Sequence, residues 1–114
     1  MAFETLKYET FWGHTYDVCF FSHSKYELDL SLYCISETGN YYEPFMDVTI
    51  SNPYEFHGEN RAYIKDYSEN AGLGNWLVKN GIAKPTGKIL PSGYVILEEY
   101  EFNMEKLNKY TCNI

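Results

Sequence analysis

No run in this chain approaches the roughly 18 consecutive apolar residues of a membrane-spanning helix, which excludes a helical membrane protein. Basic residues are scarce: nine lysines and arginines face 16 acids, for a formal net charge of −7. Only Lys79, Lys84 and Lys88 gather into a basic group, too few to hold a phosphate backbone, so direct nucleic-acid binding is not expected. Cysteine is limited to Cys19, Cys34 and Cys112, an odd number with no C-x-x-C pair. That pattern offers neither a disulfide framework nor a zinc ribbon. The opening "MAFETLKYE" has no basic start and no apolar run, so no signal peptide is expected. With reduced thiols, the expected location is the cytoplasm of a bacterial cell. There is no G-x-S-x-G elbow for a hydrolase nucleophile.

What the chain does have is aromatic surface and an uneven charge. Its 114 residues fit one domain, residues 1–114, long enough to bury a core unaided. Aromatic residues make up 18%, with 12 tyrosines and 7 phenylalanines, a composition suited to strands. It also leaves tyrosines for the surface, where the broad, stiff, hydrogen-bonding ring is a good contact group. Residues 1–60 hold ten acids and two bases (Lys7 and Lys25), net −8, and residues 61–114 hold six acids and seven bases, net +1. The N-terminal half therefore carries the negative field, which repels nucleic acid and steers basic partners inward.

The hydrophobic pattern predicts strands at Phe3–Gly13, at "YDVCFFS" and, most clearly, at "YELDLSLYCIS". In the last, Leu28, Leu30, Leu32 and Cys34 alternate with Glu27, Asp29, Ser31 and Tyr33, giving one buried face and one wet, acidic face. A three-residue loop, Thr38-Gly39-Asn40, then leads to a strand in "EPFMDVTIS". This sets Leu32 opposite Met46, Leu30 opposite Val48, Leu28 opposite Ile50, Ser31 opposite Asp47 and Asp29 opposite Thr49. "RAYIKDY" reads as a short strand. A helix follows from Ser68 to Asn80, with Leu73, Trp76 and Leu77 on its apolar stripe and Gly81 as a left-handed stop. "PTG" and "PSG" read as turns, "YVILEEYEF" as a strand, and "NMEKLNKY" as a last helix capped by Asn103. One continuous helix from Leu97 to Tyr110 competes with the last two. The fold class is α+β: a mostly antiparallel sheet of five or six strands with one main helix packed on one face.

The glycines of "GLGNWLVKNGIAKPTGK" raise a phosphate cradle as a candidate. A dinucleotide loop needs a third glycine where Leu77 stands, and a Walker loop needs Ser or Thr where Ile89 follows Lys88. The stretch is instead a short amphipathic helix with a glycine stop and turns. The segment "NWLVKNGIAKPTGKILPSGYVILEEYEF", Asn75 to Phe102, resembles the small family catalogued as domain of unknown function 4313. The likeness lies in Trp76-Leu77, Asn80-Gly81-Ile82-Ala83, Pro85-Thr86-Gly87, Ser92-Gly93-Tyr94-Val95 and Tyr100-Glu101-Phe102. The resemblance implies a single-domain accessory protein of a phage or mobile element. It brings no assigned catalytic residue.

Other chemistries find little support. Cys19 lies inside a strand, at ~3.3 Å per residue, and His23 in the turn that follows it, so His14, Cys19 and His23 do not converge on one metal ion. Cys34 faces the core with the leucines and stays inert, and Cys112 reads as an exposed spectator. Two carboxylates on an open, wet face keep ordinary acidity and suit acid–base catalysis poorly. No catalytic residue, metal or cofactor is expected, and no membrane partner.

The acids make better sense as a binding surface. Glu27, Asp29, Glu37, Glu43, Asp47, Glu55 and Glu59, with Tyr41, Tyr42 and Tyr54 among them, could cover a lysine- and arginine-lined groove that normally holds nucleic acid. The expected function is a non-enzymatic, protein-binding inhibitor of a host defence system, anti-CRISPR-like, whose partner is the basic surface of a host protein or ribonucleoprotein complex. Two alternatives stand beside it: a small-ligand (nucleotide-like) binder with an aromatic pocket, and a homo-oligomeric module such as a homodimer.

Overall fold

The computed structural model describes residues 4–10, 12–35, 42–50, 58 and 60–112. Eight strands among them form two four-stranded antiparallel sheets. The first sheet is β1 (Leu6–Glu9), β2 (Thr15–Ser22), β3 (Leu30–Ile35) and β4 (Tyr42–Asp47), in that spatial order. The second comprises β5 (Thr49–Ile50), β6 (Arg61–Ile64), β7 (Ala83–Ser92) and β8 (Val95–Phe102), in the order β5-β6-β8-β7. Two helices complete it, α1 (Leu73–Lys79) and α2 (Met104–Lys109). No helix among the described residues is long and apolar enough to cross a membrane.

The α+β class and the antiparallel character stand. The expected five or six strands are corrected to eight among the described residues, while the main helix and the expected last helix are both present as α1 and α2. Two segments supply the extra strands: "AKPTGKILPS", read in part as turns, is β7, and one residue divides another expected strand in two. "EPFMDVTIS" looks like a single strand, but the chain leaves the first sheet at Asp47 and enters the second at Thr49. Val48 is the pivot: fully buried, it donates its N–H to Leu30 O at 2.9 Å and accepts from Lys65 N at 2.9 Å. The hairpin register holds where it is formed, with Leu32 opposite Met46 and Ser31 opposite Asp47. Beyond the pivot Thr49 pairs with Ile64 instead, so the expected facing of Asp29 with Thr49 and Leu28 with Ile50 gives way to the second sheet. The loop Thr38-Gly39-Asn40 lies outside the described residues.

The core fills the space between the inner faces. Val18, Phe20, Leu30, Leu32 and Cys34 come from the first sheet and Ala62, Ile64, Tyr100 and Phe102 from the second, with Leu73 and Leu77 of α1 and Leu107 of α2. Each such large side chain contributes about 1.5–3 kcal/mol by leaving water. Leu28 is buried too, so all four alternating positions from Leu28 to Cys34 point inward as their spacing predicts.

The expected helix Ser68–Asn80 divides into a 3-10 turn, Ser68–Asn70, and α1. Gly72, in the left-handed region at φ 98, separates them. The Asp66 carboxylate then takes the first free amides of α1: Oδ1 accepts from Gly72 N at 2.7 Å and Oδ2 from Gly74 N at 3.0 Å. Those donors are the ones a phosphate would have used. Gly74 has no room for a side chain, since a Cβ there would collide with the Tyr100 hydroxyl and stand 2.7 Å from Asp66 Oδ2. Gly81 ends the helix at φ 71, as its position predicts.

"PTG" is not a turn between elements but an irregularity inside β7, where pairing with β8 slips between Pro85 and Ile89. "PSG" does close a hairpin, with Ser92 opposite Val95. The helix from Leu97 gives way to β8 followed by α2, whose cap Asn103 Oδ1 accepts from Lys106 N at 3.1 Å. After α2 the chain runs parallel to β2. Phe20 N donates to Tyr110 O and Cys112 N to Phe20 O, both at 2.8 Å. Cys112 is therefore buried rather than an exposed spectator, because its backbone completes the edge of β2 beyond β1.

Burial pushes the Cys19 thiol up to about 12, aided by its contact with Cys112. Burial likewise raises Cys34, Tyr8, Tyr63 and Tyr100. The folded chain holds these protons above the pH at which the unfolded chain releases them, starting near the ordinary thiol value of 9.0. Stability is thus complete below that pH and falls as pH rises toward 12. Melting temperature should drop by several degrees between about pH 8.5 and about pH 11, and Cys19→Ala should flatten the slope; a flat profile in the native chain contradicts this assignment.

Candidate functional site

The features that point to contact with another molecule converge on β4, an edge strand. Its pairing with β3 slips between Leu32 and Tyr33: Leu32 faces Met46, but Tyr33 faces Pro44. Phe45 is the extra residue. In such a bulge two successive side chains lean to one side, and Phe45 and Met46 both pack on the core. The bulge sends Asp47 and Glu43 to opposite faces. Asp47 stands opposite Ser31 on the outer face; Glu43 stands opposite Cys34, whose thiol its charge helps to raise.

On the outer face the Ser31 hydroxyl donates to Asp47 Oδ1 at 3.0 Å, and His23 Nε2 lies 2.9 Å from Ser31 Oγ. Ser31 has one hydroxyl proton, and it goes to Asp47. His23 Nε2 must then be the N–H donor to Ser31 Oγ, which fixes that ring's tautomer. A nucleophilic serine needs the reverse order, with histidine between carboxylate and hydroxyl to take the proton. What this chain of bonds does is orient an exposed carboxylate. Phe21 stacks on Tyr33 beside it, with centroids 5.1 Å apart and planes 27° apart, and Phe21 meets His23 edge-on at 4.8 Å. Together with Pro44 and Lys65, whose ammonium lies 5.9 Å from the Tyr67 ring, His23, Ser31, Tyr33 and Asp47 line an open depression of about 400 Å³.

On the inner side of β4 lies a smaller pocket of about 180 Å³, lined by Tyr8, Glu9, Thr10, Trp12, Phe45, Met46, Asn70 and Ala71. Tyr8 meets Phe45 and Trp76 edge-on at 5.7 and 5.1 Å, and Phe45 also contacts Tyr16 at 4.9 Å. Asn70 comes from the 3-10 turn, whose Ser68 adopts φ 54, a left-handed conformation that costs a residue with a Cβ about 1 kcal/mol or more.

Of the acids expected at a binding surface, Asp47, Glu43 and Glu27 are exposed, Glu27 in the bend before β3. Asp29 is half-buried, its carbonyl accepting from His23 N at 2.9 Å. Tyr42 is half-buried on β4. Glu37, Tyr41, Tyr54, Glu55 and Glu59 lie outside the described residues. Sequence reasoning passed over His23, Tyr8, Glu9, Trp12 and Asn70 as site residues. Ser31 opposite Asp47 was legible from alternation, but a histidine in a turn and an asparagine in the first turn of an expected helix carry no signal of their own. Among the described residues no group of three or more His, Cys, Asp or Glu is placed to hold a metal ion.

The family model for a domain of unknown function, DUF4313, matches residues 17–113, a wider span than the Asn75–Phe102 resemblance. No curated protein and no solved structure matches the chain.

Ser31 is almost fully buried and satisfies two partners at once. Ser31→Ala should cost about 1–2 kcal/mol in urea denaturation. It should also free the His23 ring to exchange tautomers, read from its nitrogen shifts in NMR; an unchanged His23 signal speaks against the Ser31-centred chain.

Proposed function

A chain matched over that length belongs to the DUF4313 family, and for this member we propose a non-enzymatic protein-binding role. The outer face of β4 receives cationic side chains of a partner. The observation that supports it is the Asp47 carboxylate, exposed yet held by Ser31, next to the stacked Phe21 and Tyr33 rings. A fixed carboxylate can take a guanidinium without first losing side-chain freedom, and adjacent rings exclude water around it. The net charge of −7 adds long-range steering toward basic surfaces. In a phage or mobile element, the setting implied by the family resemblance, such a face suits an inhibitor that covers the nucleic-acid groove of a host defence complex.

Immobilised chain should retain basic, nucleic-acid-binding proteins from a bacterial lysate. Retention should fall steeply between about 0.1 M and about 1 M salt, as screening shortens from ~10 to ~3 Å. Asp47→Lys should reduce it about tenfold or more. Retention that ignores both salt and Asp47→Lys overturns the reading.

A further inference from the structure

The β7–β8 hairpin carries its core-facing side out into solvent. Ile96, Glu98, Tyr100 and Phe102 alternate onto one face of β8, and Ile89 and Pro91 join that face by pairing with Glu98 and Ile96. Tyr100 and Phe102 are buried in the core. Farther along the same face Ile89 is 56% and Ile96 64% exposed, Pro91 is exposed beside them, and Tyr94 at the tip stands clear of the chain. Leu97, on the opposite face, is buried. Of the six large apolar side chains left exposed among the described residues, three are therefore on this hairpin, a patch rather than scattered single groups.

The patch is open to a partner on its face and closed along its edge. β7 is the outer strand of its sheet. Pro85 and Pro91 bring no N–H, and pairing slips between Pro85 and Ile89, devices that guard an edge against strand addition. Charge narrows the partner. Residues 83–98 hold only Lys84, Lys88 and Glu98 as charges, net +1, so the other residues carry −8. Copies of so acidic a chain repel one another least when they meet at this end. The patch also complements itself. A second copy turned half a revolution about the strand direction lays its β7 over β8 of the first. Ile96 then meets Pro91, Lys88 comes within reach of Glu98, and every contact occurs twice. The exposed parts of Ile89, Pro91, Tyr94 and Ile96 come to about 500 Å² per copy, or about 1,000 Å² for the pair, the lower end for a specific interface. We propose that the bare face of the β7–β8 hairpin docks on the same face of a second copy of this chain, each β7 lying over the other's β8. With so small an area the dimer is reversible, forming at about 10–100 µM.

Sedimentation equilibrium of the full chain from about 5 to about 500 µM tests this. The mean mass should climb from 13.4 kDa toward twice that value. Raising salt from about 0.1 M to about 1 M should leave the dimer in place or strengthen it, because screening relieves the repulsion between two acidic copies. Ile89→Lys and Ile96→Glu alter exposed side chains and should leave the melting temperature within a few degrees, yet each should weaken association about tenfold or more. Lys88→Glu and Glu98→Lys should each weaken it too, and an equimolar mixture of those two variants should associate better than either alone, since both crossed pairs are then of opposite charge. A mass fixed at the monomer value up to about 500 µM, a dimer that dissociates in salt, indifference to both isoleucine variants, or no gain on mixing overturns the proposal. Asp47→Lys should leave the dimer intact, because that carboxylate lies on the first sheet. Loss of partner capture and loss of self-association are therefore separate results.

Discussion

Two hydrogen bonds at Val48 join the two sheets into one structure. Its N–H closes onto Leu30 of the first sheet and its carbonyl onto Lys65 leading out of β6 in the second. Because the residue is fully buried, either bond broken would leave a polar backbone group away from water, at a cost of about 1–3 kcal/mol. The chain thus turns from one sheet to the other within a single residue. Asp47, immediately before the turn, is aimed outward by the same geometry.

The neighbourhood of this crossover is braced from the other side by Asn70, which donates to the Asp47 carbonyl. Asn70 in turn sits on a 3-10 turn with Ser68 in the left-handed region, just ahead of the Asp66-capped start of α1. Trp76 ties α1 to β1 through its indole N–H on Lys7 O at 2.8 Å. The outer depression and the inner pocket share one strand as their partition and one backbone carbonyl as their common point. Movement of β4 would be felt in both.

The parts of this arrangement legible in the sequence were those set by period and by local chemistry. Leu28 to Cys34 alternate cleanly, so their inward direction and the pairing of Ser31 with Asp47 followed from the pleat. Gly81 and Asn103 stand where helix ends need a left-handed residue and a side-chain cap, and both serve so. What stayed hidden depends on long-range contact. Nothing local marks Val48 as a crossover, since "EPFMDVTIS" has the same pattern whether it stays in one sheet or changes to another. The bulge at Phe45 reverses the direction of Glu43 relative to Asp47, and no spacing in the sequence discloses it. Cys112 looks terminal and free until the backbone of Phe20 is seen to need a neighbour. The unpaired Asn70 oxygen is invisible without the Asp47 carbonyl beside it.

The cation-binding face proposed for β4 would account for the oriented Asp47, for the stacked Phe21 and Tyr33 rings beside it, and for a negative charge concentrated in the N-terminal half. The most direct measurement is a two-dimensional amide NMR titration of the chain with an oligoarginine peptide. The account predicts shifts concentrated at Phe21, His23, Ser31, Tyr33 and Asp47, with the hairpin tip at Gly93 and Tyr94 unmoved. Shifts scattered over the molecule, or strongest at that hairpin, would contradict it.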